Sequence, residues 1–355
     1  MPDFVLAFLF YGYGNRENED VLLILRFSAL LSFLFIVGCS ESPETFKFSG
    51  HVMGTTYSVV LVETDLADSL FEETKVGVDE VLSRVDRDLS TYKPDSEIMR
   101  FNNADVGQTF MFGPHMQHVT DISIDVLEKS KGYFDPSIGP LVSAWGFGVN
   151  SQISKPSKEI IEQLKSQANM SPVSWDGGRS FKKVGVGFID YSAVAKGYGV
   201  DLVADYLREQ GFKDFMVEVG GEIKVAGKNV ERINWRMGIE QPDLMMRKAY
   251  NIAYITNVSM ATSGDYRNYI DDEDGRYSHT INPISGYPVK NDIASVSVIL
   301  ESCAYADAWA TALMAMGSEK GVTFASEHNI PAYFILRESK GFSAIATEQM
   351  KSYLN

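Results

Sequence analysis

Residues Gly187–Gly221 read GFIDYSAVAKGYGVDLVADYLREQGFKDFMVEVGG, and this stretch limits the fold more than any other. It opens on a short apolar run ending in Asp190, passes through a small-residue turn carrying Lys196, and continues as an amphipathic helix. The helical pattern VDLVADYLREQG stops at Gly211, and FMVEVGGEIKVAG then reads as strand, glycine turn and second strand. Each apolar run carries an acid, Asp190 in the first and Glu218 in the second. A tight turn before a helix exposes unpaired N–H groups that suit a phosphate, and Lys196 adds a point charge. The competing reading is a well-packed turn with a surface lysine. The spacing is neither GxGxxG nor GxxxxGK[ST], so both readings stay open for Asp190–Gly199.

Around this unit the chain alternates helices and strands without a strict βαβ rhythm, which favours α+β over a doubly wound sheet. His51–Glu63 predicts a strand with a glycine turn at its start. Leu70–Ser90 and Met116–Gly132 show helical spacing. SKEIIEQLKSQAN predicts a helix capped by Ser157. Phe181–Val184 and Gly187–Tyr191 predict two strands, and WRMGIEQP, AYNIAYITNVSMATSG and ASVSVILE further ones. ADAWATALMAMGSEKGVTFASEH predicts one helix leading into another, and AYFILRESKGFSAIATEQMKSYL a hairpin with a short tail. No internal repeat is visible.

FSALLSFLFIVGCS, Phe27–Ser40, is an apolar run too short to span a bilayer comfortably, with Arg26 before it. It resembles a bacterial lipoprotein signal with the lipobox IVGC, in which Cys39 is diacylated. The other reading is a single buried or membrane-spanning helix. An acidic cluster lies upstream, where a basic segment is expected, so an upstream start codon and a long leader both remain open. We therefore expect a leader over 1–39, a short tether over 40–48 and one large domain over 49–355, on the outer side of the cytoplasmic membrane. If Cys39 carries lipid, Cys303 is left without a partner and no disulfide framework forms. A net charge of −15 and a pI near 4.8 argue against a nucleic-acid surface.

Two more stretches carry chemistry. Asp307 and Thr311 are four residues apart in an apolar helical run, so they share a face. A carboxylate and a hydroxyl are hard oxygen ligands suited to Mg²⁺ beside substrate phosphates, although a helix cap and a backbone-bonded threonine would look the same. GRYSHTINPISGYPV, Gly275–Val289, sets His279 on a turn-rich polar loop. There it is a candidate for proton transfer, or else a residue that fixes the loop. No HExxH or similar zinc spacing occurs.

HVMGTTYSV, LSTYKPDSEIMRFN, GYFDPSIGPLVSAWGFG, GFIDYSAVAKGYGVD, VEVGGEI, SHTINPISGYPV and DAWATALMAMG occur in this order. Together they resemble the ApbE family of FAD:protein FMN transferases, from about His51 to the C-terminus. The resemblance implies mixed and antiparallel sheets with packed helices, related to the T-fold. It implies that Met53, Tyr92, Tyr133, Phe134, Asp135, Asp190, Lys196 and Ile281 line an FAD site. It further implies that the Ala193 carbonyl, Asp307 and Thr311 hold Mg²⁺, and that Glu218–Glu222 form the strand and turn beside the nucleotide. Asn282 stands where many members carry Asp.

The implied reaction transfers FMN from FAD to a Thr or Ser hydroxyl of an acceptor flavoprotein and releases AMP, with His279 handling the hydroxyl proton. The implied acceptor is a subunit of a membrane redox complex with a motif such as DGxTGAT. Family members of this kind face the periplasm on a lipid anchor, more often at the inner than the outer membrane. Three other readings stay open: hydrolysis of FAD to FMN and AMP, FAD storage without turnover, and a non-enzymatic envelope lipoprotein.

Overall fold

Period-two alternation builds the main sheet, and both of its faces are covered. The computed structural model describes residues 42–147, 155–170, 173–175, 180–242, 248–265, 269–272, 275–289 and 292–354. The lipobox and Cys39 lie outside these residues. β1 (Glu44–Val52) and β2 (Thr55–Glu63) form a hairpin closed by Met53 and Gly54, both at positive φ. The expected tether at 40–48 overlaps this strand, since Glu44–Phe48 pair with Val59–Glu63. Along β2, Tyr57, Val59 and Leu61 join one core while Val60 and Val62 join another.

α1 (Asp68–Leu89) buries Val78, Val81, Leu82, Val85 and Leu89, the spacing of one helical face. α2 (Glu97–Asn102) is capped by Ser96, whose side chain accepts from the Met99 amide. β3 (Thr109–Met111) leads to α3 (Pro114–Lys129), which starts on a proline that has no amide to leave unpaired. α4 (Gly139–Ala144) and α5 (Lys158–Lys165) follow, and Ser157 caps α5 as its sequence suggests. β4 (Val173–Trp175) and β5 (Ser180–Lys183) complete a small sheet in the order β3-β5-β4. There Phe181 stacks on Phe112 at 4.0 Å and on Trp175 at 5.9 Å.

Gly187–Tyr191 is not a strand; it makes a single parallel bridge between Phe188 and Ile138. Helix α6 instead begins early, at Ser192, and runs to Glu209. Asp190 starts it by accepting the Ser192 amide at 2.9 Å, and Gly197, a poor helix former, is held in it by close packing against the Cys303 backbone. Lys196 therefore stands inside the helix and not in a turn before it.

β6 (Phe215–Val219) and β7 (Glu222–Ala226) come next, then the separate hairpin β8 (Trp235–Glu240) and β9 (Ala249–Ile255). The long apolar run 249–264 is two strands, because Asn257 turns the chain at φ 54° before β10 (Ser259–Gly264). β11 (Tyr269–Asp272) and β12 (Gly275–Ser278) pair with each other. β13 (Ile293–Leu300), α7 (Cys303–Met316), α8 (Ser318–Glu327), β14 (Ala332–Glu338), β15 (Gly341–Ala346) and α9 (Glu348–Lys351) end the chain.

The main sheet has eight antiparallel strands in the order β1-β2-β6-β7-β10-β13-β14-β15. In each four-stranded half the chain leaves for helices between the two middle strands: α6 is the last of those between β2 and β6, and α7 the first of the two between β13 and β14. One face of the sheet packs under these helices. The other is covered by the β8–β9 hairpin, with Trp235, Met237 and Ile255 against Val60, Ile299 and Ile335. The architecture is α+β. Among the described residues no helix is long and apolar enough to cross a membrane.

Candidate functional site

α6 and α7 meet backbone to backbone at Gly197. A β-carbon there would stand 2.3 Å from the Cys303 carbonyl oxygen, so only glycine allows the approach. The contact lets the Gly197 amide donate to Asp307 Oδ2 at 3.2 Å. The carbonyl four residues back along α6 is that of Ala193, which ties this carbonyl and the Asp307 carboxylate to one neighbourhood. Lys196 Nζ lies 3.4 Å from Asp307 Oδ2, 3.5 Å from Glu222 Oε1 and 3.2 Å from the Ser192 carbonyl. One turn along α7, Thr311 Oγ1 is 3.1 Å from Ser263 Oγ on β10.

This corner is buried yet charged. The Asp307 and Glu222 side chains are 5 % and 4 % exposed. Burial pushes the Glu222 carboxyl up to about 8; the Asp307 charge adds to the shift and Lys196 opposes it. Burial works against the charge on Lys196, but Asp307 and Glu222 outweigh it and hold the ammonium above its ordinary pKa. Glu222 Oε2 has no hydrogen-bond partner among the described residues. No cluster of three or more His, Cys, Asp or Glu among them is arranged to hold a metal. The oxygens of this corner are instead the Asp307 and Glu222 carboxylates, the Thr311 and Ser263 hydroxyls and a helix carbonyl. Such an all-oxygen set fits a hard cation that also keeps substrate phosphates as ligands.

The N-terminus of α7 is held from α6. Asp201 accepts from the Cys303 amide at 3.0 Å, the Ala304 amide at 3.0 Å and Ser302 Oγ at 2.8 Å. Lys224 Nζ on β7 donates to Asp201 at 2.6 Å and to the Glu301 carbonyl at 2.8 Å. This clasp fixes the first turn of α7, and Asp307 follows one turn later. The glycine turn after β6 is built the same way. Glu218 Oε1 accepts from the Gly221 amide at 2.7 Å, and Gly220 and Gly221 take φ of 62° and 108°. The acid between valines therefore shapes a turn, and that turn delivers Glu222 to Lys196.

The remaining sequence candidates divide into two groups. Met53 turns the β1–β2 hairpin and approaches Gly199 of α6, while Tyr92 stands 74 % exposed after α1. Tyr133 is half-buried, and its hydroxyl accepts from Lys320 Nζ at 2.6 Å. Phe134 and Asp135 face inward. Phe134 belongs to the core. Asp135 accepts from the Ser137 amide, the Ser137 hydroxyl and the Asn169 amide, so it builds its loop, and burial raises its pKa. Ile281 is likewise buried, with Leu141, Trp145 and Ile161.

His279 follows β12 and lies edge-on to Phe147 at 6.3 Å. Its loop is anchored at two points: Trp145 Nε1 donates to the Gly286 carbonyl at 2.9 Å, and Asn282 Nδ2 to the Ala315 carbonyl of α7 at 3.1 Å. The second bond needs an amide donor, which a carboxylate at position 282 would lack.

Sequence reasoning missed Glu222 as a separate charge, and Asp201, Lys224 and Ser263 altogether. A signal existed for two of them. In EIKVA, Glu222 and Lys224 alternate on a strand whose neighbours are apolar, so both point to one buried face.

The chain matches the ApbE family over residues 53–334. It is 36 % identical over 329 residues to the "FAD:protein FMN transferase" of Vibrio cholerae, covering 92 % of this chain and 98 % of that one. Among solved structures it is similar to "Flavin Transferase ApbE from Vibrio cholerae", with a TM-score of 0.79, 36 % identity, and 88 % and 100 % of the two chains covered. The apo flavinyl transferase ApbE of Pseudomonas stutzeri gives a TM-score of 0.80 at 33 % identity, covering 88 % of this chain and 98 % of that one. With the fold and the sequence in agreement along most of the chain, the protein belongs to the ApbE family.

Proposed function

We propose that this protein is an FAD:protein FMN transferase that moves FMN from FAD to a Thr or Ser hydroxyl of an acceptor flavoprotein and releases AMP. The observation that carries the reading is the corner where Gly197, Lys196, Glu222 and Asp307 converge beside Thr311, in a chain whose relatives bear that name. Asp307, Thr311 and the Ala193 carbonyl are the residues that would hold Mg²⁺. The ion, when bound, offsets negative charge on the FAD pyrophosphate. Lys196 brings a second positive charge to the same place. Met53 and the exposed Tyr92 offer apolar and aromatic contact to the flavin nucleotide.

His279 takes the proton of the acceptor hydroxyl as its oxygen attacks the phosphorus on the FMN side. A new P–O bond forms to the acceptor, the bridging P–O bond breaks, and its electron pair leaves with AMP. Incubating the full-length chain with FAD, Mg²⁺ and a flavoprotein acceptor, then weighing the acceptor intact, tests the reading. A mass gain of one FMN less one water is expected. Free FMN and AMP without that gain would mean hydrolysis, and unchanged bound FAD would mean storage.

His279→Ala should lower single-turnover transfer roughly 10²–10⁴-fold, the usual contribution of a general base, with FAD affinity largely kept. Loss of FAD affinity together with turnover would instead assign His279 to holding its loop. We further propose that a diacylated Cys39 anchors the protein in the bacterial cell envelope, facing the periplasm. Cys39→Ala should then abolish acyl labelling and release the protein; labelling that survives the change would refute the anchor.

A further inference from the structure

Lys196 stands between two buried carboxylates, 3.4 Å from Asp307 and 3.5 Å from Glu222. One ammonium cannot neutralise both, and burial makes the leftover charge costly. Glu222 keeps one oxygen on Lys196, while its Oε2 is buried without a partner among the described residues. An orphaned oxygen in such a place marks where a further donor belongs. Gly220 leaves the lysine stem uncrowded on the turn side, since a β-carbon there would come within 3.2 Å of Lys196 Cδ.

We propose that Glu222 is the positioning residue that receives Lys196 when a divalent cation takes Asp307, so that Glu222, Lys196 and Asp307 form an exchange relay. The inference rests on the reading of Asp307 as a cation ligand. Before exchange, Lys196 serves as the counter-charge of Asp307 and keeps the corner folded. After it, the cation occupies Asp307 and the ammonium turns fully to Glu222, whose second oxygen gains a donor. The cation adds two positive charges to the corner and leaves its sum positive, the sign a pyrophosphate requires.

The test follows Mn²⁺ binding to the full-length chain in detergent by electron paramagnetic resonance, with Mn²⁺ alone and again with ADP as a pyrophosphate probe. Lys196→Met should bind Mn²⁺ about tenfold more tightly, because Asp307 loses its competitor. Glu222→Gln should bind about tenfold more weakly, because Lys196 then clings to Asp307; both sizes are usual for residues in one ion-pair network. In the Lys196→Met background, Glu222→Gln should change nothing. An equal loss in both backgrounds would make Glu222 a cation ligand and end the relay. Unchanged affinity in a folded Glu222→Gln protein would end it as well. If Glu222→Gln fails to fold, Lys196→Met decides alone: no tightening refutes the relay. Asp307→Ala reports separately on the underlying reading. Mn²⁺ bound as well by that variant as by the parent, or not at all by the parent, would overturn the cation site itself.

Discussion

Gly197→Ala is expected to cost about 3 kcal/mol of stability, the upper end of ordinary overpacking, and to abolish cation binding in whatever folds. The added methyl would meet the Cys303 carbonyl oxygen at 2.3 Å, its carbon at 2.6 Å and the Ala304 amide at 2.8 Å. All three atoms are backbone, and they belong to the capped first turn of α7, so no rotamer can relieve the clash. α6 and α7 must separate, and the bond from Gly197 to Asp307 goes with them. Gly77 supplies the control. A methyl there would meet the Tyr206 hydroxyl at 2.0 Å, a shorter contact, but with the tip of a side chain that can swing aside. Urea denaturation of both variants checks the argument, and it fails if Gly197→Ala is no less stable than Gly77→Ala.

Asp201→Ala should destabilise by about 3–5 kcal/mol, the cost of breaking a buried ion pair from one side. Lys224 would keep only the Glu301 carbonyl, and the Cys303 and Ala304 amides would lose their acceptor. Removing the lysine charge as well, in Asp201→Ala with Lys224→Met, should recover part of the loss. Thermal unfolding of the single and double variants measures this. If the double variant is less stable than Asp201→Ala alone, the stranded ammonium is not the source of the damage.

Much of this fold was legible because its strands and helices bury regular faces. β2 is a short apolar run that sends Tyr57, Val59 and Leu61 to one core and Val60 and Val62 to another, α1 repeats every three to four residues, and Ser157 caps α5 where its pattern begins. The errors came where small residues carry no pattern. SAVAKGYG reads as a turn in sequence, yet it lies in α6, because packing against the Cys303 backbone at Gly197 overrides the low helix propensity of its glycines. The site was half legible for a related reason. Asp307 and Thr311 stand out because four-residue spacing marks one helical face, and Lys196 because it is charged among small neighbours. Glu222 and Asp201 owe their meaning to partners on other elements: Lys196 lies 26 residues before Glu222, and Asp201 caps a helix about a hundred residues further on. Local periodicity contains no trace of such pairings. Phe134 and Asp135 were named through the family resemblance alone, and the contacts they make here, in the core and within their own loop, leave no pattern in the sequence.

The join between β7 and β10 consists of two residue pairs, Lys224 with Ser259 and Ile223 with Met260, whereas β1 and β2 share nine. The sheet is thus two halves meeting at a narrow seam, with α6 on one side, α7 on the other, and the Asp201–Lys224 clasp across it. A ligand gripped by α6 and α7 together would act as a rivet through that seam. Part of its binding free energy would be spent holding the halves together, so affinity and resistance to unfolding should rise and fall as one quantity. A chain still being synthesised, with only its first half complete, would own Lys196 and Glu222 but no Asp307. Flavin capture would therefore belong to the finished molecule alone, which keeps the nucleotide from being engaged by a partly folded chain.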